Sequence, residues 1–299
     1  MKLVKFFACG LLITSLLCCC AQQKNRILKT NPDNNSLLWR VSGKDLKEPS
    51  FLFGTFHLLC KDDIHFSRQF TLALQASTEV YMELNLDDPS TMLGGLLFIN
   101  MKNGKKLSDL YTPAEYKSLL SYFNDSLHTP LVMMEKIKPY FLVAMLYPRM
   151  MECKTISGVE EELMKLAKEN NKKFKGFETV EFQASVFDSI PYDWQAKELM
   201  KNIDSFPFYK KQFDTMINAY LEQDLDELTA VLGKSEFGSE KYEDLLLTKR
   251  NVNWVQKLNT IMNKESVFVA VGAGHLLGPK GLIALLQSEG YRVEPLINK

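Results

Sequence analysis

Two segments far apart in the chain end in the same way, and this constrains the fold more than any other feature. Near the front the sequence reads Phe51-Leu52-Phe53-Gly54-Thr55-Phe56-His57-Leu58-Leu59. Near the end it reads Val267-Phe268-Val269-Ala270-Val271-Gly272-Ala273-Gly274-His275-Leu276-Leu277. Each is an apolar β-type run passing into Gly-x-x-His and two leucines. The chain has only four histidines, and two of them stand in this context. Glycine permits a backbone turn that a residue with Cβ resists, so Gly54, Gly272 and Gly274 are expected to turn the chain at the strand ends. In open α/β sheets, sites form at the carboxyl ends of strands. Two such ends point to one site assembled by the fold.

The rest of the pattern places strands at both termini and helices between them. Leu37 to Ser42 and Ser50 to Phe53 read as strands around a Gly43–Pro49 turn, and Glu79 to Leu86 as another. Thr112-Pro113-Ala114-Glu115 starts a helix, with Thr as cap, Pro at the first position and Glu at the third. Helical spacing then runs to about Cys153 with a break near Thr129-Pro130. Glu160 to Asn170 is a helix, Lys173 to Phe177 a strand, and Ser239 to Met262 a long helix. Strand Val267–Val271, helix Pro279–Gln287 and strand Tyr291–Leu296 close the chain. The expected fold is α/β (α+β): a central mixed sheet built from N- and C-terminal segments under a largely helical insertion at about 107–263.

Charge excludes one class of partner. With 36 basic and 36 acidic residues, nothing draws the chain to nucleic acid. The first twenty residues read as a signal peptide: Lys2 and Lys5, then an apolar run from Phe6 to Leu17 that is short of the about 20 residues a spanning helix needs. Leu16-Leu17-Cys18-Cys19-Cys20-Ala21 resembles a bacterial lipoprotein cleavage box. Cys20 or Cys19 would be acylated, although Cys stands at −1; ordinary cleavage near Ala21 is the alternative. The expected layout is signal 1–20, polar tether 21–36 and one domain at 37–297, exported and held in the bacterial envelope by a lipid anchor. Of six cysteines, only Cys60 and Cys153 remain in the body. They could pair in an oxidising compartment, and Cys60 could also be a thiolate near His57 or a buried core residue.

Several residues bear on chemistry. Glu83 lies among Val80, Tyr81, Met82 and Leu84. A carboxylate inside a strand is either a site residue or part of the wet face of an edge strand, with Tyr81 and Asn85. A histidine after a strand is commonly a loop hydrogen-bonder, but His57 and His275 share one context. With Glu83 they would form a three-ligand set that leaves a position for water. His65 and His128 lie in loop-like contexts and receive no role. Gly272-Ala273-Gly274 mimics a dinucleotide fingerprint, but the third glycine is displaced to Gly278 and the chain soon ends. Phosphate-loop and Gly-x-Ser-x-Gly patterns are absent.

Taken together, Leu37-Leu38-Trp39-Arg40-Val41, both Gly-x-x-His turns, Glu83, Gly176-Phe177-Glu178-Thr179-Val180-Glu181-Phe182-Gln183 and Leu247-Thr248-Lys249-Arg250-Asn251-Val252-Asn253-Trp254 resemble the TraB/PrgY/GumN family. That family is related to the Tiki proteins. The resemblance implies an EreA/ChaN-like fold and a divalent metal (Mn, Co or Zn) held by His57, Glu83 and His275. It implies Arg250 as oxyanion stabiliser and Glu178 as general base or supporting partner. The expected activity is a metal-dependent hydrolase acting on a peptide or protein. A haem-binding envelope lipoprotein, with His57 or Tyr81 as axial ligand, and a catalytically silent regulator of peptide signalling are the alternatives.

Overall fold

The computed structural model describes residues 28–31, 33–233 and 240–299; the expected signal peptide and acylated cysteine lie outside them. Among the described residues eight strands form: β1 Leu38–Ser42, β2 Ser50–Thr55, β3 Leu59–Cys60, β4 Glu79–Leu84, β5 Ile156–Ser157, β6 Lys173–Glu178, β7 Val267–Gly272 and β8 Arg292–Pro295. The helices up to the middle of the chain are α1 Arg68–Ala76, α2 Pro89–Phe98, α3 Pro113–Ser121, α4 Pro139–Ala144, α5 Tyr147–Met150 and α6 Val159–Glu169. Those that follow are α7 Val180–Asp188, α8 Tyr192–Asp204, α9 Phe206–Glu222, α10 Leu225–Leu232, α11 Lys249–Met262 and α12 Leu282–Ser288.

Six strands make one mixed sheet in the order β6-β4-β7-β2-β1-β8. Its four neighbours β6, β4, β7 and β2 are parallel, and β1 turns back antiparallel to both β2 and β8. Parallel strands are covered on both faces, which requires near-continuous apolar runs. Val267 to Val271 and Ser50 to Thr55 are accordingly buried throughout. On one face α1 inserts Phe70 against Phe53 and Phe268, with ring centroids 4.7 and 5.0 Å away. On the other, Trp254 of α11 stacks on Phe177 of β6 at 5.3 Å. This is the α/β architecture expected, with the sheet drawn from both chain ends, a helical middle and an EreA/ChaN-like plan. Among the described residues no helix is long and apolar enough to cross a membrane.

Local differences from the sequence reading have physical causes. The Thr112–Glu115 capping box forms on both sides, so α3 begins where expected. The long helix expected from Ser239 is interrupted: a π turn at Asp244–Thr248 precedes α11. The expected helix from Pro279 starts only at Leu282, after Gly278 at φ +74°. Helix α2 and the two-residue pair β3–β5 lay outside the sequence reading. Cys60 and Cys153 form a disulfide with Cα atoms 5.7 Å apart. Cys60 is therefore neither a thiolate nor a free core thiol.

Candidate active site

Register fixes which side chains can meet. Thr55 of β2 lies beside Gly272 of β7, Met82 of β4 beside Ala270 of β7, and Leu84 of β4 beside Glu178 of β6. The two Gly-x-x-His segments thus leave adjacent parallel strands at the same end, next to Glu83 and Glu178. β4 is an interior strand, which removes the edge-strand reading of Glu83. The glycines act differently from expectation. None of Gly54, Gly272 and Gly274 has positive φ. At Gly54 a Cβ would approach Leu276, Ala273 and Leu37 to 3.0–3.1 Å, so glycine serves close packing of the two turns rather than reversal of the chain.

At the centre stands Arg250, with a side chain 8% exposed. Its Nη2 donates to Glu83 Oε2 at 2.6 Å and to Glu178 Oε2 at 2.8 Å, and its Nε to Glu178 Oε1 at 2.9 Å. Nη1 donates to Leu246 O at 2.9 Å, a carbonyl of the π turn, and lies 3.2 Å from His275 Nε2. A planar guanidinium can serve two carboxylates and an imidazole together, which a lysine ammonium cannot. Glu178 is buried deeper still, its side chain 1% exposed. Three further neighbours complete the frame. Trp254 Nε1 donates to Glu178 Oε1 at 2.9 Å, Gln183 Nε2 to Glu83 Oε2 at 3.1 Å, and the Gly272 N–H to Glu83 Oε1 at 3.0 Å.

Asn251 sets the tautomer of His275. Its Nδ2 donates to Lys280 O and His275 O, so its Oδ1 accepts from His275 Nδ1 at 2.6 Å. The lone pair of Nε2 therefore faces Arg250 and Glu83 Oε1, the latter 3.6 Å away. Burial, reinforced by Arg250, lowers the His275 pKa to about 4, so the ring is neutral. Burial by itself would raise Glu83. The positive charge His275 carries when protonated, Arg250, His57 and the Gly272 N–H outweigh it and hold that carboxyl at about 2.

His57 is placed otherwise. Its ring is 78% exposed, and Nδ1 lies 2.8 Å from Glu160 Oε1, which also accepts from Thr55 Oγ1 at 2.7 Å. The hydrogen bond to Glu160 and that carboxylate's charge raise the His57 pKa to about 9, so the ring is an imidazolium at neutral pH. Glu160 was read only as a helix-start residue. Its partner is set by the strip where Val159 N–H donates to Phe56 O, β3 pairs with β5, and the disulfide closes the far end.

The residues as arranged do not fit the implied metal. Among the described residues no group of three or more His, Cys, Asp or Glu side chains could hold an ion. Arg250 already donates to Glu83, Glu178 and the His275 Nε2 lone pair, and His57 faces Glu160. Beside this cluster, a cavity of about 380 Å³ opens between α2 and the start of α7, lined in part by Asn85, Thr91, Phe98, Glu178 and Glu181.

The sequence pattern of the TraB/PrgY/gumN family matches residues 37–295. Two curated proteins of Danio rerio are similar over most of the chain. "Metalloprotease TIKI1" is 24% identical over 320 residues, covering 88% of this chain and 63% of that protein. "Metalloprotease TIKI2" is 24% identical over 322 residues, covering 88% and 61%. The chain thus spans less than two thirds of either relative. No solved structure matches.

Proposed function

The chain belongs to the TraB/PrgY/gumN family, and from that premise we propose that it is a metallopeptidase-like hydrolase of peptide bonds, working where β2, β4, β6 and β7 end. The observation that carries this reading is the buried Arg250 fork, which holds Glu83, Glu178 and His275 in one constellation beside the exposed His57–Glu160 pair. Names of the similar proteins support the hydrolytic class.

Hydrolysis needs a group to take a proton from water and another to give one to the leaving amine. In this proposal Arg250 Nη1, 3.2 Å from His275 Nε2, turns to the substrate oxygen, and the freed lone pair of the neutral His275 receives the water proton. His57, an imidazolium with Nδ1 held by Glu160, donates from its other nitrogen to the departing nitrogen. Arg250 offers positive charge to the developing oxyanion while it helps to keep Glu83 ionised. A divalent metal would need Arg250 to withdraw and His57 to turn from Glu160, so no step here passes through one.

A peptide-library digest tests the reading, with the full chain run beside His57→Ala and His275→Ala, each with and without chelator. The expected result is cleavage by the parent and a loss of about 10²–10⁴-fold in each variant. No cleavage of any peptide by the parent would remove the hydrolase. Loss on chelation, restored by Mn²⁺ or Co²⁺, would assign a metal to Glu83, His275 and a reoriented His57. Export and the lipid anchor on Cys20 or Cys19 also stand as proposals: Cys20→Ala should release the protein from the membrane fraction, and continued lipid labelling would shift the anchor to Cys19.

A further inference from the structure

The four most exposed large apolar side chains among the described residues are Leu93 (66%), Leu97 (75%), Val132 (68%) and Met133 (84%). All four lie in two segments, α2 and the 3-10 turn Leu131–Met134. Backbone bonds tie together the residues that directly follow each segment: Lys138 N–H donates to Ile99 O, Met101 N–H to Lys136 O, and Asn100 bridges Ile137. Helix α2 has no charged residue between Pro89 and Phe98. A helix apolar on every side is normally buried in a core or in lipid, yet Leu93 and Leu97, one turn apart, stand in the open.

Charge identifies the occupant. The link from Ile99 to Lys106, which turns at Asn103 and Gly104, carries Lys102, Lys105 and Lys106 and no acid, and Lys136 stands exposed across from it. Asp188 pairs with Lys102 at 3.0 Å, while two other carboxylates are engaged by hydrogen bonds: Glu135 accepts from Ser108 N–H and Tyr116 O–H, and Asp109 from Lys106 N–H. An apolar patch beside the exposed Lys105, Lys106 and Lys136 fits an interface where acyl chains meet anionic headgroups. The path of the N-terminal segment agrees. Thr30 pairs antiparallel with Leu296, and Ile297 N–H donates to Lys29 O, just past the end of β8. β8 runs parallel to β2, so the described chain enters from the carboxyl end of the sheet, the side that carries α2. Cys19 and Cys20, the expected acylation sites, precede it in sequence.

We propose that α2 and the Leu131–Met134 turn form a docking face for an anionic lipid bilayer, which holds the carboxyl-end face of the sheet toward the membrane. This is independent of whether the site hydrolyses anything. Amide hydrogen exchange of the full chain tests it, on vesicles of phosphatidylcholine with or without phosphatidylglycerol. Exchange over 89–101 and 130–137 should slow on the anionic vesicles and less on the neutral ones. A Leu97→Ser/Met133→Ser variant, altered only at exposed positions, should unfold at the parent's temperature but lose at least about tenfold of that vesicle-dependent protection. Protection unchanged in the variant, or confined to the N-terminal segment, would overturn the proposal. So would slowing that appears without lipid and grows with protein concentration, which would assign the face to a second copy.

Discussion

Arg250 is the residue whose removal leaves the most behind. Glu83 and Glu178 would remain buried with their cation gone, and breaking a buried ion pair from one side costs about 3–5 kcal/mol. Arg250→Ala is therefore expected to unfold at a much lower urea concentration than the parent. Arg250→Lys should recover only part of the loss, because one ammonium cannot reach Glu83, Glu178 and Leu246 O together. A urea midpoint for Arg250→Ala equal to the parent's would mean that water solvates both carboxylates. Glu160 acts on the exposed side in the same manner. In Glu160→Gln the His57 pKa should fall from about 9 toward 6.5, read from its ring protons by NMR. An unmoved titration would show that Glu160 does not hold the ring. The residue scale was legible in part. His57, Glu83 and His275 stand out from their local pattern and Glu178 and Arg250 only through the family resemblance, whereas Glu160 and Asn251 look like ordinary helix residues until their partners are known.

Among the elements, the short β3–β5 pair has the largest effect for its size. Lys61 N–H donates to Thr155 O and Val159 N–H to Phe56 O, so the segment carrying His57 is laced to the one carrying Glu160. The Cys60–Cys153 disulfide closes a loop of 93 residues in this strip. A cross-link over so long a loop stabilises a fold by about 2–5 kcal/mol. Cys60→Ser/Cys153→Ser should lose stability of that order in a denaturant titration; the same midpoint as the parent would make the bridge dispensable. The π turn before α11 has a parallel role: its Leu246 carbonyl accepts from Arg250 Nη1. Turns of this kind recur at functional sites, but periodicity cannot reveal them, since one extra residue per turn leaves the apolar stripe nearly intact. The capping box at Thr112 was readable because its determinants are four consecutive residues.

For the whole molecule, the buried cluster sets the response to pH. His275 is depressed to about 4, so between pH 6.5 and 4 the unfolded chain binds a proton that the folded one refuses. Stability should fall across that window as pH drops, by roughly 3 kcal/mol. Glu83, held at about 2, extends the loss below its ordinary range near 4.5. His57 has the opposite sign: its contribution is complete below pH 6.5 and disappears as pH rises through about 9. Urea midpoints measured across this range check the profile, and a midpoint that rises on acidification would contradict the neutral His275. Strand positions, the helical middle and the paired turns came from the sequence, because alternation, apolar runs and caps are local properties. The order β6-β4-β7-β2-β1-β8, the turn of His57 toward Glu160 and the seating of Arg250 where a metal was expected came only with tertiary structure. Those depend on which strand ends become neighbours and on which buried charges then share a cation, and contacts between residues so distant in the chain leave no mark on the local sequence.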